Sequence, residues 1–213
     1  PRLQVFGTAP AAANIAADAT VVRHVGVPRM TSPARLLAGN LDLTTQATIE
    51  EIRRDGSGWV LRSTERGWLA TAFDAVVLAI PAAQAQPLLR DVAPALRDLA
   101  AGVRLRGCWT LMLHFTAPVP LAFDAAFVND GPLRWLARNN SKPGRSGAET
   151  WVLQASAEWS EAHLEEHGEQ IAAALLPAFA ALGGPTPEAW SGHRWRYADS
   201  DNNLNIGSAW DDS

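Results

Sequence analysis

The stretch FDAVVLAIPAAQAQPLLRDV, residues 73–92, limits the folds open to this chain more than any other. Val76, Val77, Leu78, Ala79 and Ile80 form an unbroken apolar run that stops at Pro81, and a helix-like segment follows. An apolar run without alternation predicts a strand buried on both faces, the habit of parallel sheets covered by helices. Pro81 suits the exit, because proline fixes φ and needs no partner for an N–H. The remaining apolar segments alternate or recur at helical spacing, so the chain supplies few companions for such a strand.

Those other segments fall into two groups. Ahead of residue 73, DLTTQATIEEIRR (42–54), WVLRST (59–64) and WLATAF (68–73) are separated by the turns DGSG and ERG, which predicts a three-stranded meander. A short helix is expected before it, capped by Thr31 or Ser32, with Pro33 in its first turn and its end at Gly39 or Asn40. Residues 1–20 are rich in alanine without a period and read as loop with a short helix. After Pro81, helices are expected over 82–90 and 94–101. Strands follow over 103–115, 126–130, 133–139, 150–156 and 189–198, with a helix around AEWSEAHLEEH (157–167) and an amphipathic helix from Gly168 that repeats Ile171, Leu175 and Phe179. The fold class is therefore α+β: a meander plus one buried strand, then an antiparallel sheet of about five strands with helices on one face.

Composition excludes several functions. The 213 residues are 47% hydrophobic and 19% charged, enough for a sizeable core, and the net charge of −4 provides no basic field for nucleic acid. No run reaches the roughly 20 apolar residues of a membrane span, and the stretch after Arg2 is broken by Gly7 and Pro10, unlike a signal peptide. Cys108 is the only cysteine, which excludes an intrachain disulfide and a cysteine zinc cage and points to a reducing, cytoplasmic setting. His163 and His167 stand four apart but have no evident third ligand, so no metal is expected. There is no G-x-G-x-x-G; the one G-x-G, at Gly56 and Gly58, lies in a hairpin turn. A small-molecule partner is left, with nothing to fix the oligomeric state.

Alternation sorts the strand side chains. Trp109, Leu111, Leu113 and Phe115 share the face expected to pack on helices, opposite Cys108, Thr110, Met112 and His114. On the next strand pair, Leu133, Trp135 and Ala137 oppose Arg134, Leu136 and Arg138. His193, Trp195 and Tyr197 share one polar-aromatic face, the best candidate for a pocket wall. Arg138, Lys142 and Arg145 surround the NNSKPGR turn, where guanidinium groups clamp an anion or are merely solvated.

The order of VGVPRM, TQATIEEIRRDGSGWVLRS, FDAVVLAIPAAQA, CWTLMLHF, WLARNNSKPGR, WVLQASAEWSEAHLE and HRWRYA resembles the middle of flavin-dependent oxidoreductases of the amine oxidase and renalase type, over residues 21–198. The N-terminal G-x-G-x-x-G half and the C-terminal G-D motif of that group are not in this sequence, which reads as an internal piece. The resemblance implies a partial FAD-binding domain over 1–92, a substrate-binding domain over 93–198 and a connector over 199–213. Residues 73–80 would be a return strand to the FAD domain. Ile49 would meet the adenine end of FAD, and Ala79, Ile80 and Pro81 would end beside the dinucleotide; plain core packing accounts for the same four residues. The large sheet would roof the flavin, with Trp135, Arg138, His193, Trp195 and Tyr197 toward the substrate. A hydride would pass from an amine or an NAD(P)-type dihydronicotinamide to flavin N5, with O2 as acceptor. No catalytic residue is assigned: His193 is the candidate proton acceptor if an amine or alcohol must lose a proton, a hydrogen-bonded structural histidine accounts for it equally, and a dihydronicotinamide needs no base. The competing expectation is a non-catalytic α+β binding module, which would give Val76–Ile80 a partner on each side.

Overall fold

The structure, a computed structural model, describes residues 2–7, 24–56, 58–201 and 204–211. It has two compact units: Pro1–Asn40 with Gly107–Ala198, and Leu41–Arg106 with Asp199–Ser213. These units cut the chain at other points than the expected 92/93 boundary. The first forty residues fall with the large sheet because a strand near the N-terminus pairs into it.

That strand, β1 (Leu3–Phe6), corrects the expected loop over residues 1–20; residues 8–23 lie outside the described chain. It runs parallel to β6 (Ala125–Val128), with Leu3 opposite Ala125 and Phe6 opposite Val128. The helix expected after Thr31 is α1 (Ser32–Ala38), with proline in its first turn. β5 (Leu105–Phe115), β7 (Leu133–Arg138), β8 (Glu149–Ala155) and β9 (Ala189–Ser200) complete a six-stranded sheet in the order β1-β6-β7-β8-β5-β9. The five expected strands are thus present, and the parallel edge strand makes the sheet mixed rather than antiparallel. The expected helix over 157–167 stops earlier: α4 (Ala157–Ala162) starts on a Ser156 side chain that accepts from Trp159 N–H, and α5 (Gly168–Ala181) begins after His167. His163 and His167 therefore flank a break and do not share a helix face.

One face of this sheet is closed by α5. Ile171, Leu175 and Phe179, four residues apart, are 0–1% exposed and pack with Leu111, Leu113, Phe115, Leu136, Trp151 and Leu153. Burying each such side chain contributes roughly 2 kcal/mol. Trp109 belongs to this core, and its indole N–H donates to the His163 carbonyl at 2.9 Å.

The second unit holds the meander: β2 (Ile49–Asp55), β3 (Gly58–Ser63) and β4 (Gly67–Trp68), paired antiparallel in that order. Gly56 and Gly67 take φ of +62° and +67° at the two turns, a region open to glycine at little cost. The third strand is shorter than expected. Past Trp68 the chain stays beside β3 through Leu69 N–H to the Leu61 carbonyl (2.9 Å) and a reciprocal pair between Phe73 and Trp59 (2.7 and 2.8 Å).

Residues 74–80 then depart from expectation. They form no strand, pair with no other strand among the described residues, and leave Val77 81% exposed and Ile80 42% exposed. The apolar run stays extended because Pro81 and its β-favouring valines disfavour a helix, yet no neighbouring strand meets its amides. Pro81 opens α2 (Ala82–Leu89) with its carbonyl accepting from Gln84 and Ala85 N–H, and α3 (Pro94–Ala101) packs beside α2.

Candidate functional site

In the first unit most of the candidate side chains lie on the sheet face turned away from α5. The register aligns Phe127, Trp135, Gln154 and Thr110 across four strands, and Ala125, Ala137, Val152 and Met112 in the next row. The Phe127 and Trp135 rings are 4.7 Å apart. β9 joins the same face through alternate residues. A Cβ on Gly192 would meet Leu111 and α5, and Arg194 stacks over Trp109 at 5.7 Å, so even-numbered residues there face the helices. His193, Trp195 and Tyr197 accordingly point the other way, toward the Thr110 and Met112 side. The His193 and Trp195 rings meet at 4.4 Å in an edge-on arrangement, and Trp195, Tyr197 and Met112 are 53%, 41% and 45% exposed.

Four of the five residues expected in a substrate pocket, Trp135, His193, Trp195 and Tyr197, thus share one open aromatic face. Arg138 does not. It lies opposite Trp151 in the ladder, stacks on that buried ring at 5.0 Å and pairs with Glu149 (2.9 Å) and Asp124 (3.5 Å). Its Nη2 also donates to the Val119 carbonyl at 2.8 Å, so it staples the 119–124 loop to the core. Asp124 is held below the usual carboxylate range: burial opposes its ionisation, and hydrogen bonds from Arg2 together with the Arg2 and Arg138 charges outweigh that. The expected pairing of Leu133 with Trp135 on one face also fails. A bulge between them, with Leu133 opposite Ala155 and Trp135 opposite Gln154, puts Leu133 in the core beside Leu136. Phe127 is the face residue that alternation missed, since its strand is only four residues long.

A pair of clamps fixes the outer strand. Glu165 takes Arg196 at 2.7 Å and Arg194 at 3.0 Å, which lowers its pKa, the Arg196 hydrogen bond first. Glu188 accepts from the Thr116 hydroxyl (2.6 Å) and N–H (2.9 Å), and that hydroxyl is the main cause of its lowered pKa. Glu165 ties β9 to the segment between α4 and α5, and Glu188, just before β9, ties its start to Thr116 at the end of β5. No carboxylate pairs with His193 among the described residues, and no group of three metal-ligating side chains occurs among them.

In the second unit the four residues expected at the cofactor come together in part. Ile49, Ala79 and Ile80 line one apolar groove of about 650 Å³ with Ile52, Leu61 and Leu88, and Pro81 is not among its lining residues. A second apolar groove, of about 590 Å³, runs along the same segment past Leu89, Leu96 and Trp210. The start of β2 is pinned by Glu65, which accepts from Thr48 N–H (2.7 Å), Thr48 hydroxyl (2.6 Å) and Ser63 hydroxyl (2.7 Å). These donors, Thr48 foremost, lower the Glu65 pKa to about 2. The groove carries no glycine-rich phosphate cradle.

No protein-family profile matches the chain. Solved structures do resemble it. A protein assigned as a protoporphyrinogen oxidase from Exiguobacterium superposes with a TM-score of 0.67 at 15% identity, over 83% of this chain and 41% of its own. Putrescine oxidase bound to putrescine gives 0.60 at 16% identity, over 79% and 38%. Cyclohexylamine oxidase from Brevibacterium oxydans gives 0.55 at 15%, over 70% and 34%. The chain shares the fold of part of these oxidases. It spans about two-fifths of the length of the structures it matches. Among the described residues no helix is long and apolar enough to cross a membrane.

Proposed function

We propose that this chain is part of an FAD-dependent oxidoreductase acting on a small amine or dihydronicotinamide-type molecule, in a cytoplasmic setting. One observation supports the reading: over 70–83% of its length this chain superposes on part of a protoporphyrinogen oxidase, a putrescine oxidase and a cyclohexylamine oxidase. The groove at Ile49, Ala79 and Ile80 takes an apolar ring portion of FAD, with Pro81 turning the chain away into α2. Bound there, FAD would supply hydride acceptance from the substrate, with O2 as the acceptor of the two electrons.

The chain's own part is to hold and dry the substrate. Trp135, Trp195 and Tyr197 stack a flat molecule and exclude water, and Met112 adapts to its outline. His193 takes a proton at its free ring nitrogen when the substrate is an amine, and is idle when it is a dihydronicotinamide. The CWTLMLHF, WLARNNSKPGR, WVLQASAEWSEAHLE and HRWRYA stretches resemble the substrate domain of renalase-like proteins, and both the amine and the dihydronicotinamide stay open as substrate classes. A non-catalytic binding module would give Val76–Ile80 a partner on each side, and the segment has none among the described residues.

The test is flavin retention. The 213 residues purified alone should come out colourless, because they hold no G-x-G-x-x-G to cradle the pyrophosphate. The same chain extended at both ends along its reading frame should retain FAD. Stoichiometric yellow protein from these residues alone would overturn the partial-site reading, and an extended chain without flavin would overturn the oxidoreductase reading.

A further inference from the structure

The proposed chemistry makes no use of Gln154, a polar residue in the middle of the open face. β8 runs between β7 and β5, and Gln154 stands opposite Trp135 on one side and Thr110 on the other. Its neighbour Leu153 is 0% exposed in the core, so alternation turns the Gln154 side chain to the face away from α5. Residues opposite each other across a ladder sit roughly 5 Å apart at Cβ, so the Gln154 amide and the Trp135 ring share one patch.

This amide is open to a ligand. It is half-buried and carries two donors and an acceptor, yet it makes no hydrogen bond among the described residues. Comparable side chains of the same unit are engaged. Asn129 donates to the Phe6 carbonyl at 3.1 Å, Asn140 accepts from Thr150 N–H at 3.0 Å, and Gln170 accepts from His167 N–H at 3.0 Å. The Thr110 hydroxyl beside Gln154 lies 3.8 Å from Cys108 Sγ, a weak partner. The surroundings decide what the amide takes. Neither the row of Phe127, Trp135, Gln154 and Thr110 nor the row of small and apolar residues beside it contains a carboxylate. A protonated amine there meets ring faces and an amide oxygen, with no counter-charge. A neutral carboxamide both accepts from and donates to the glutamine, which closes a pair of hydrogen bonds.

We propose that Gln154 is a specificity-determining residue of this face, holding the carboxamide of a flat, neutral ring by a two-point hydrogen bond while Trp135 stacks beside it. The proposal rests on the reading of this face as the substrate side. It selects between the two substrate classes, favouring a ring that bears an amide over a protonated amine. Binding uses the first unit alone and does not require flavin.

The experiment is an NMR titration of the whole chain, labelled with nitrogen-15, with nicotinamide, 3-acetylpyridine and benzylamine. It is followed on backbone amides and on the side-chain NH2 of Gln154, identified by its loss in Gln154→Met. 3-Acetylpyridine keeps the ring and carbonyl of nicotinamide and replaces the amide nitrogen by a methyl group. Nicotinamide should bind saturably, one to one, and move the Gln154 NH2 signal. 3-Acetylpyridine should bind about fivefold more weakly, the worth of one hydrogen bond, and benzylamine more weakly still. Gln154→Met should bring nicotinamide down to the level of 3-acetylpyridine. Glu169→Gln, exposed in the first turn of α5, should leave all three ligands unchanged. The order of the ligands is read on the unsubstituted chain, so it decides the matter even where Gln154→Met fails to fold. No saturable nicotinamide binding, equal affinity for 3-acetylpyridine, benzylamine bound as tightly as nicotinamide, or an unmoved Gln154 NH2 would each overturn the proposal. A colourless extended chain, by contrast, removes the oxidoreductase reading and leaves this binding as measured.

Discussion

Two apolar runs of this chain have similar composition and opposite fates. CWTLMLHF in β5 sits between β8 and β9, with α5 over one face, and Leu111 is 0% exposed. AVVLAI, residues 75–80, has no strand beside it and leaves Val77 81% exposed. Hydrophobicity sets a demand for burial in both. Only neighbouring backbone turns such a run into a strand, because each N–H and C=O needs a partner in register. The difference leaves residues 75–80 extended and unpaired among the described residues.

The sharpest way to break this contrast is amide hydrogen exchange. Amides of 109–113 should exchange roughly a thousandfold more slowly than those of 75–79, since core strands open only with the whole domain. Comparable protection would show that the apolar segment is paired after all. Next comes truncation: Leu153→Ala, directly opposite Leu111 and equally buried, should cost about 3 kcal/mol in urea unfolding. A smaller effect is expected from Glu65, whose folded pKa of about 2 lies below its usual 4.5. A depressed carboxylate pKa adds stability above pH 4.5 that is lost as pH falls toward 2. Glu65→Gln should therefore flatten the acid limb of tryptophan-monitored unfolding in that window, and an unchanged limb would show that the clamp at Thr48 is idle. The least effect belongs to Val77→Thr, expected to shift stability by no more than about 0.5 kcal/mol while reducing aggregation. A loss several times larger would mean that Val77 is buried in solution.

Much of the fold was legible because its signals are local. The turns at Asp55–Gly58 and Glu65–Gly67, the proline-started helices at Ser32 and Pro94, and the stripe of Ile171, Leu175 and Phe179 each follow from neighbours in sequence. The open aromatic face was half legible. Alternation put His193, Trp195 and Tyr197 together, and contacts of Gly192 and Arg194 showed which way that face points. Arg138 was misplaced because a substrate-facing arginine and a core staple look alike until Asp124 and Glu149 come near. The bond from Arg145 Nη2 to the Gly26 carbonyl, more than a hundred residues away, had no signal in the basic turn.

The sequence by itself determined where this chain turns, which residues share a side of each regular strand, and that residues 75–80 are an unbroken apolar run. Tertiary structure decided what no short window holds. It added β1 in parallel beside β6, slipped Leu133 across the sheet by a bulge, spent Arg138 inside the core and tied Arg145 to Gly26. The physical reason is the same in each case. These outcomes depend on pairings between distant segments, whose energy exists only once both partners are in place.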